Sequence, residues 1–418
     1  MTQLSDDCFA AGGRLMTTAE ALELLAATVV PVTDTERVPL RRAAGRILAE
    51  DVVADRDVPP HDNSAVDGYA VFFDDLHPDR ETRLRVKGRI AAGRPLTRPA
   101  RRGEALRIFT GAPMPKGPDT VMMQEDCRLE GDTVVIAPGI RRGANRREAG
   151  EDVKAGTTIL RAGYRLRPQE VGLAASIGRT SLTMYRPLAV AIISTGDEVH
   201  EPGSELPPGA IYDANRYVLF GLLEGLGSAV TDLGILPDDR VRIRDALETA
   251  AKDHDLLLTS GGVSVGEEDQ VKAAVEELGK IHLWQLAIKP GRPIALGQVG
   301  RVPFVGLPGN PVAVMVTFLR LVRPLVLRLS GCSQVTPILY RVPADFEHKK
   351  KRNRREWVRA RLVARPDGGV AAEKFARQGA GILSSMVASD GLVELPEDMT
   401  HLKPGTLVDF LPFSEVDS

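Results

Sequence analysis

The chain has 418 residues, with 54 Lys plus Arg against 56 Asp plus Glu. That length leads us to expect about three domains with ample core, and the balanced charge excludes a global field favouring nucleic acid or an anionic membrane. Cys8, Cys127 and Cys332 lie far apart without CxxC spacing, as unpaired thiols of a reducing compartment do. The opening MTQLSDDCFAAGG is no signal peptide, and the longest apolar stretch, Pro311–Leu329, is interrupted by Arg320, Arg323 and Arg328. No membrane span is expected, and the expected location is cytoplasmic.

Thr17 and Glu20 form a capping-box pattern ahead of Leu22, Leu24 and Leu25, which predicts a helix from that point. Pro31–Asp55 shortens into strand-like and turn-like pieces. In Val58–Val71, prolines, Asn63 and Gly68 stop any helix and crowd Asp62, Ser64 and Asp67 onto one loop, which by itself reads more readily as a turn than as a site. Residues 72–156 read as a β-rich domain, in which Ile108-Phe109-Thr110-Gly111 ends a strand in a tight turn with a hydroxyl at its corner. The mixed-charge loop Arg141–Asp152 reads by itself as solvated surface. Gly156–Leu166 is again strand-like and Pro168–Ile177 helical.

From Arg186 strands and helices alternate. Leu188–Ile193 is a buried strand ending in STGDE; Asp213 is positioned to cap a helix; Val230–Leu236 is a strand ended by Pro237-Asp238-Asp239; and helix Arg240–Lys252 follows. Leu256–Leu258 is a short apolar run of the kind buried on both faces of a parallel sheet. Thr259-Ser260-Gly261-Gly262 comes next, where paired glycines let successive N–H groups converge on an oxyanion. Glu267, Glu268 and Asp269 follow. They suit a divalent cation beside that cradle, or a simple helix start with Asp269 as N-cap of Gln270–Leu278. Ile281–Ile288 leads to Lys289-Pro290-Gly291-Arg292-Pro293, and Phe304-Val305 to Gly306-Leu307-Pro308-Gly309-Asn310-Pro311, with Pro311 at a helix start.

This order predicts a doubly wound, mostly parallel sheet, in which ligands bind at the carboxyl ends of the strands. Loops STGDE, PDD, TSGG and LPGNP all fall at such ends. Several polar loops in register outline a pocket for an anionic ligand with a metal. Residues 336–418 return to β character, and Lys349–Arg355 (KKKRNRR) reads either as a solvated hairpin tip or as an anion-attracting lip.

DNSAVDGYAV, FTGAPMPKGPDTVMMQED, GEDV, STGDEV, IYDANR, TSGGVSVGEED, AIKPGRP and GLPGNPV occur in that order along most of the chain. Together they resemble the molybdopterin molybdenumtransferases, enzymes of molybdenum-cofactor synthesis related to the gephyrin E domain. The resemblance implies an elongated homodimer of α/β multidomain subunits. The doubly wound domain would comprise residues 15–34 with 183–335, a linking domain 35–53 with 157–182, a β-rich domain 54–156 and a β-barrel-like domain 336–418. It implies that adenylylated molybdopterin binds at the SGG loop, that molybdate adds to its dithiolene, and that the phosphoanhydride is cleaved to release AMP with help from Mg²⁺.

Position by position, the resemblance places functional acids at Asp67, Asp152, Glu198, Asp238 and Asp269 and a functional hydroxyl at Thr110. It places anion-binding cations at Lys289, Arg292 and Arg359, and pocket-lining positions at Ser260, Gly261, Gly262, Ser264, Pro308 and Pro311. Asp238 and Asp269 are the expected Mg²⁺ holders, and Asp67 and Thr110 are expected to reach the site from the second subunit. Contact with a molybdopterin adenylyltransferase is a further expectation. Gln285 stands where some members carry a lysine and Ala380 where many carry a serine, so molybdate is expected to bind more weakly here, a bond to a charged group being worth about 1.5–3 kcal/mol. Two other functions share features of this pattern. An adenylyltransferase has the doubly wound domain but is a single short domain; a gephyrin-like scaffold has no need of so many converging acids.

Overall fold

The computed structural model describes residues 15–261 and 270–416, with the backbone alone at 282–285. Gly262, Ser264 and Asp269, expected at the site, and the side chain of Gln285 lie outside the described residues, as does Cys8. The chain divides into two compact units, Met1–Glu50 with Ala162–Arg167 and Leu182–Ser418, and Asp51–Arg161 with Pro168–Ser181.

The larger unit opens with helix α1 (Thr18–Thr28), started by the expected capping box: Thr17 accepts from Glu20 N–H and the Glu20 carboxylate accepts from Thr17 N–H. Its six-stranded sheet is built from β1 (Ala189–Thr195), β2 (Ala229–Leu236), β3 (Leu256–Ser260), β4 (Gly279–Gln285), β5 (Pro293–Val299) and β6 (Val302–Leu307), in the order β2-β1-β3-β6-β5-β4. Pairings β2-β1, β1-β3 and β3-β6 are parallel, while β5 and β4 join antiparallel at one edge. Alternation explains why the inner strands β1 and β3 are apolar up to their ends, whereas the outer strand β2 carries exposed Thr231 and Asp232. Val190, Ile192, Leu256 and Leu258 pack with α1, with α2 (Asn215–Gly225) and with the helical run that begins at α5 (Pro311–Thr317). Ala191, Ile193 and Leu257 pack on the other face against α3 (Arg240–Ala250) and α4 (Gln270–Leu278). Burying both faces leaves no position for a polar side chain until the strand ends.

Several expectations are corrected. The strand Pro293–Val299 was not read from sequence, since the glycine and proline on either side of Arg292 suggested only a loop. Within Gly156–Leu166 only Thr158–Leu160 is a strand. Ala214, not Asp213, occupies the cap position of α2, although Asp213 does accept from Arg216 N–H at 3.1 Å. The KKKRNRR run is neither a wholly solvated tip nor a lip of free cations. Lys350 is buried, its ammonium donating to the carbonyls of Pro396 and Met399 at 2.7 and 2.8 Å, and Arg355 pairs with Glu394 and Glu397.

The C-terminal sheet of this unit orders Ile288–Lys289, Arg355–Ala364, Gly391–Leu395, Leu407–Pro412 and Tyr340–Pro343. Its first strand is thus borrowed from the segment between β4 and β5. The smaller unit is built on a six-stranded sheet of order Thr120–Met123, Gly68–Val71, Glu104–Ile108, Thr82–Ile90, Thr133–Ile136, Cys127–Glu130. Gly68 there lies so close to the next strand that an added Cβ would fall 1.7 Å from the Met122 carbonyl oxygen, which explains a glycine directly after Asp67.

Candidate active site

The polar loops anticipated from sequence do share one edge. In the parallel registers Thr195 stands opposite Leu236, Ser194 opposite Ser260, and Ser260 opposite Leu307, so the loops that follow begin side by side. A cleft of about 100 Å³ opens among three of these loops, walled by Ser194, Glu198, Asn215, Ser260, Gly261 and Pro311, while Asp238 on the fourth is not among its lining residues. Gly261 holds φ +89°, and a Cβ at that position would come 3.0 Å from the Thr195 carbonyl oxygen. Glycine is therefore favoured by conformation, and any side chain there would also need the carbonyl to give by a few tenths of an ångström.

Asn215, first residue of α2, ties the loops together. Its amide nitrogen donates to Ser260 Oγ at 2.8 Å and to the Gly309 carbonyl at 2.7 Å. Among the described residues, the amide oxygen of Asn215, Ser194 Oγ and Thr195 Oγ1 are buried without a partner. Buried polar atoms are nearly always satisfied, so three such atoms along one cleft fit a ligand with hydrogen-bonding edges. The sequence reading did not single out Asn215. The available signal was a polar side chain at the start of a helix entered from a strand-end loop.

Asp238, at the end of β2, donates its N–H to Asp197 Oδ1 at 3.2 Å. Partial burial first, then the negative charges of Asp197 and Glu198, push the Asp238 carboxyl above the ordinary aspartate range. Three acids are crowded here with no cation among them. Among the described residues no group of three His, Cys, Asp or Glu side chains is arranged to hold a metal ion.

Lys289 is ion-paired, its ammonium 2.6 Å from Glu356 Oε1. Glu356 is buried and also faces His348 and Arg354. Against the cost of its own burial, bonds from His348 and Lys289 hold its carboxyl down to about 2. Arg292 is exposed and Pro308 buried. Arg359 is 1% exposed, and its guanidinium donates to Ser385 Oγ and to the Gly379 and Arg377 carbonyls. Burial lowers its pKa to about 10. The segment it holds meets the LPGNP loop, because Val312 N–H donates to the Ala380 carbonyl at 3.0 Å. The side chain of Arg359 thus touches loop backbone rather than open cleft.

The smaller unit pairs two expected residues. Thr110 donates to Asp67 Oδ1 through both its N–H and its hydroxyl, each at 2.8 Å. The backbone bond first, then the hydroxyl and the charge of Arg107, hold the Asp67 carboxyl below the ordinary range. Asp152 is exposed in the same unit, its N–H donating to the Val58 carbonyl.

A doubly wound domain with a polar cleft at its strand ends, joined in the chain to β-rich pieces on both sides, defines a class of multidomain α/β proteins with a ligand site at the sheet's edge. Residues 191–328 match the family described as "Probable molybdopterin binding domain", residues 16–178 the "MoeA N-terminal region (domain I and II)" and residues 341–413 the "MoeA C-terminal region (domain IV)". A molybdopterin molybdenumtransferase of Haemophilus influenzae is 40% identical over 386 residues, covering 92% of this chain and 95% of that protein. One of Nostoc is 36% identical, covering 89% and 87%. The crystal structure of a molybdopterin biosynthesis moeA protein from Pyrococcus horikoshii superposes with a TM-score of 0.82 at 32% identity, covering 96% of this chain and 100% of that one. The chain belongs to the molybdopterin molybdenumtransferase family.

Proposed function

We propose that this protein inserts molybdenum into molybdopterin, taking adenylylated molybdopterin and molybdate to molybdenum cofactor and AMP. The reading rests on family membership and on one observation above all: three strand-end loops meet around a cleft lined by Glu198, by polar atoms without a partner among the described residues, and by a glycine held in a left-handed conformation. In this reading Ser260, Gly261 and Asn215 hold the pterin adenylate, with Pro308 and Pro311 shaping the wall and Gly262 and Ser264 contributing from outside the described residues.

Cleavage of the phosphoanhydride needs its oxygens neutralised, and molybdate is a small dianion. Lys289 and exposed Arg292 supply fixed positive charge, while Arg359 acts through the loop it holds. Burial, and then the charges of Asp197 and Glu198, raise the Asp238 pKa; a divalent cation would relieve that repulsion, so Asp238 and Asp269 are the carboxylates that would hold Mg²⁺, with water or phosphate oxygens as further ligands. Bound there, Mg²⁺ would supply charge neutralisation at the phosphate oxygens. Glu198 repels misplaced phosphates and keeps register.

We further propose a cytoplasmic homodimer in which Asp67 and Thr110 serve the site of the second subunit, and delivery of the adenylate by contact with a molybdopterin adenylyltransferase. In the described residues no helix is long and apolar enough to cross a membrane. The deciding experiment mixes purified protein, Mg²⁺, adenylylated molybdopterin and molybdate and follows AMP. AMP release that depends on molybdate is expected. Accumulation of adenylate from ATP and free molybdopterin, with no molybdate-dependent AMP, overturns the reading.

A further inference from the structure

Lys289 lies on a two-residue strand whose backbone runs parallel to the start of Arg355–Ala364, with Ile288 opposite Arg355 and Lys289 opposite Glu356. Across that pairing the ammonium donates to Glu356 Oε1. The two ends of this ion pair are unlike. The Glu356 side chain is 2% exposed and that of Lys289 41%. One end is therefore anchored in the interior while the other reaches solvent.

The anchor is itself held from several elements. His348, on the strand His348–Lys349, places Nε2 3.1 Å from Oε1, and Arg354 Nη2 donates to Oε2 at 3.3 Å. Lys350 and Arg359 also feel the carboxylate's charge. A carboxylate gripped at both oxygens has little freedom to move, so the lysine bound to it is aimed rather than merely tethered. An ammonium has three donors, and Glu356 takes one, which leaves two for a ligand.

We propose that Glu356 is a positioning residue which fixes the Lys289 ammonium so that its two remaining protons meet a tetrahedral oxyanion. Under the function proposed above, on which this inference rests, that oxyanion is molybdate. Glu356 does not touch the anion; it sets the place of the group that does. Nothing in the sequence pattern marked it, because the strand that carries it is far from Lys289 in the chain and the borrowed strand pairing is what brings them together.

The test uses the full-length protein with Glu356→Ala, Glu356→Gln, Lys289→Ala and the double variant Glu356→Ala/Lys289→Ala, reading AMP release against molybdate and, separately, molybdate retention in equilibrium dialysis. Glu356→Ala is expected to raise the half-saturating molybdate concentration about ten-fold while the rate at saturation stays within about two-fold. Glu356→Gln keeps an acceptor oxygen and the side-chain shape, so a smaller rise is expected, and it carries the test if the alanine variant fails to fold. In the Lys289→Ala background, removal of Glu356 should add nothing. An unchanged molybdate requirement in folded Glu356→Ala or Glu356→Gln, or an equal further loss without Lys289, overturns the inference. If the unaltered protein shows no molybdate-dependent AMP release, the function fails, and dialysis still decides whether Glu356 sets oxyanion affinity through Lys289.

Discussion

At the scale of single residues, the distinction that matters is between acids that are satisfied and acids that are not. Asp67 accepts two bonds from Thr110 and is held as a carboxylate. Glu356 is surrounded by cations and is held more strongly still. Asp238 is the reverse case, with Asp197 and Glu198 as its charged neighbours and a pKa above the ordinary aspartate value. The sign of the pH effect follows. A raised pKa means that Asp238 takes up a proton while pH is still above the range in which an ordinary aspartate would, so its use as a cation ligand fails first on acidification. Replacing Asp197 by Asn removes one repelling charge but keeps an oxygen for the Asp238 N–H. The acid limb of molybdate-dependent AMP release should therefore move to lower pH in Asp197→Asn, and less Mg²⁺ should be needed on that limb than in the unaltered protein. A pH profile at several Mg²⁺ concentrations checks this. An acid limb that does not move would remove Asp238 from the titrating step.

At the scale of elements, much of the cleft was legible because strand ends announce themselves. A strand buried on both faces reads as an apolar run, and the first polar, glycine-rich residues after it mark where it leaves the sheet. That is why STGDE, PDD, TSGG and LPGNP were found together, and why the registers bring them side by side. What pairing alone decides was not legible. Strand β5 carries Pro293 at its first position and follows a turn, so its antiparallel place between β6 and β4 had no signature in the periodicity. Lys350 looked like one of several solvated cations, yet its ammonium meets two carbonyls in the interior. Asn215 was likewise hidden, being one polar residue in a motif, until the structure set it between the Ser260 and Gly309 loops. Two bonds at about 1 kcal/mol net each hold that junction. Asn215→Ala should thus lower stability by about 2 kcal/mol and raise the half-saturating concentration of the pterin adenylate, with little change for molybdate. Denaturant unfolding and substrate titration measure the two effects separately, and an unchanged adenylate requirement would mean that the junction does not shape the pterin site.

At the scale of the whole molecule, the expected site residues divide between two compact units: Glu198, Asp238, Lys289, Arg292 and Arg359 in the larger, Asp67, Thr110 and Asp152 in the smaller. The Asp67–Thr110 pair is preformed by its own hydrogen bonds, so it does not depend on a ligand for its shape. If each such pair serves the site of a second copy, as proposed above, inactivating one unit in one copy and the other unit in its partner leaves one intact site per mixed dimer. Asp67→Asn and Lys289→Ala proteins, assayed at a molybdate concentration that leaves either one alone without measurable activity, should then regain activity when unfolded together and refolded as a mixture. Random pairing makes half of the dimers mixed, each with one of two sites intact, so recovery of about a quarter of the unaltered rate is expected. Mixing without subunit exchange should recover nothing, and this separates true complementation from residual activity of either variant. No recovery after refolding, with dimers of both variants present by light scattering, would place Asp67 and Lys289 in the same subunit's site. The quarter is a strict expectation because it follows from counting. A larger recovery requires preferential pairing of unlike chains, and a smaller one requires that a damaged site hinder its intact neighbour.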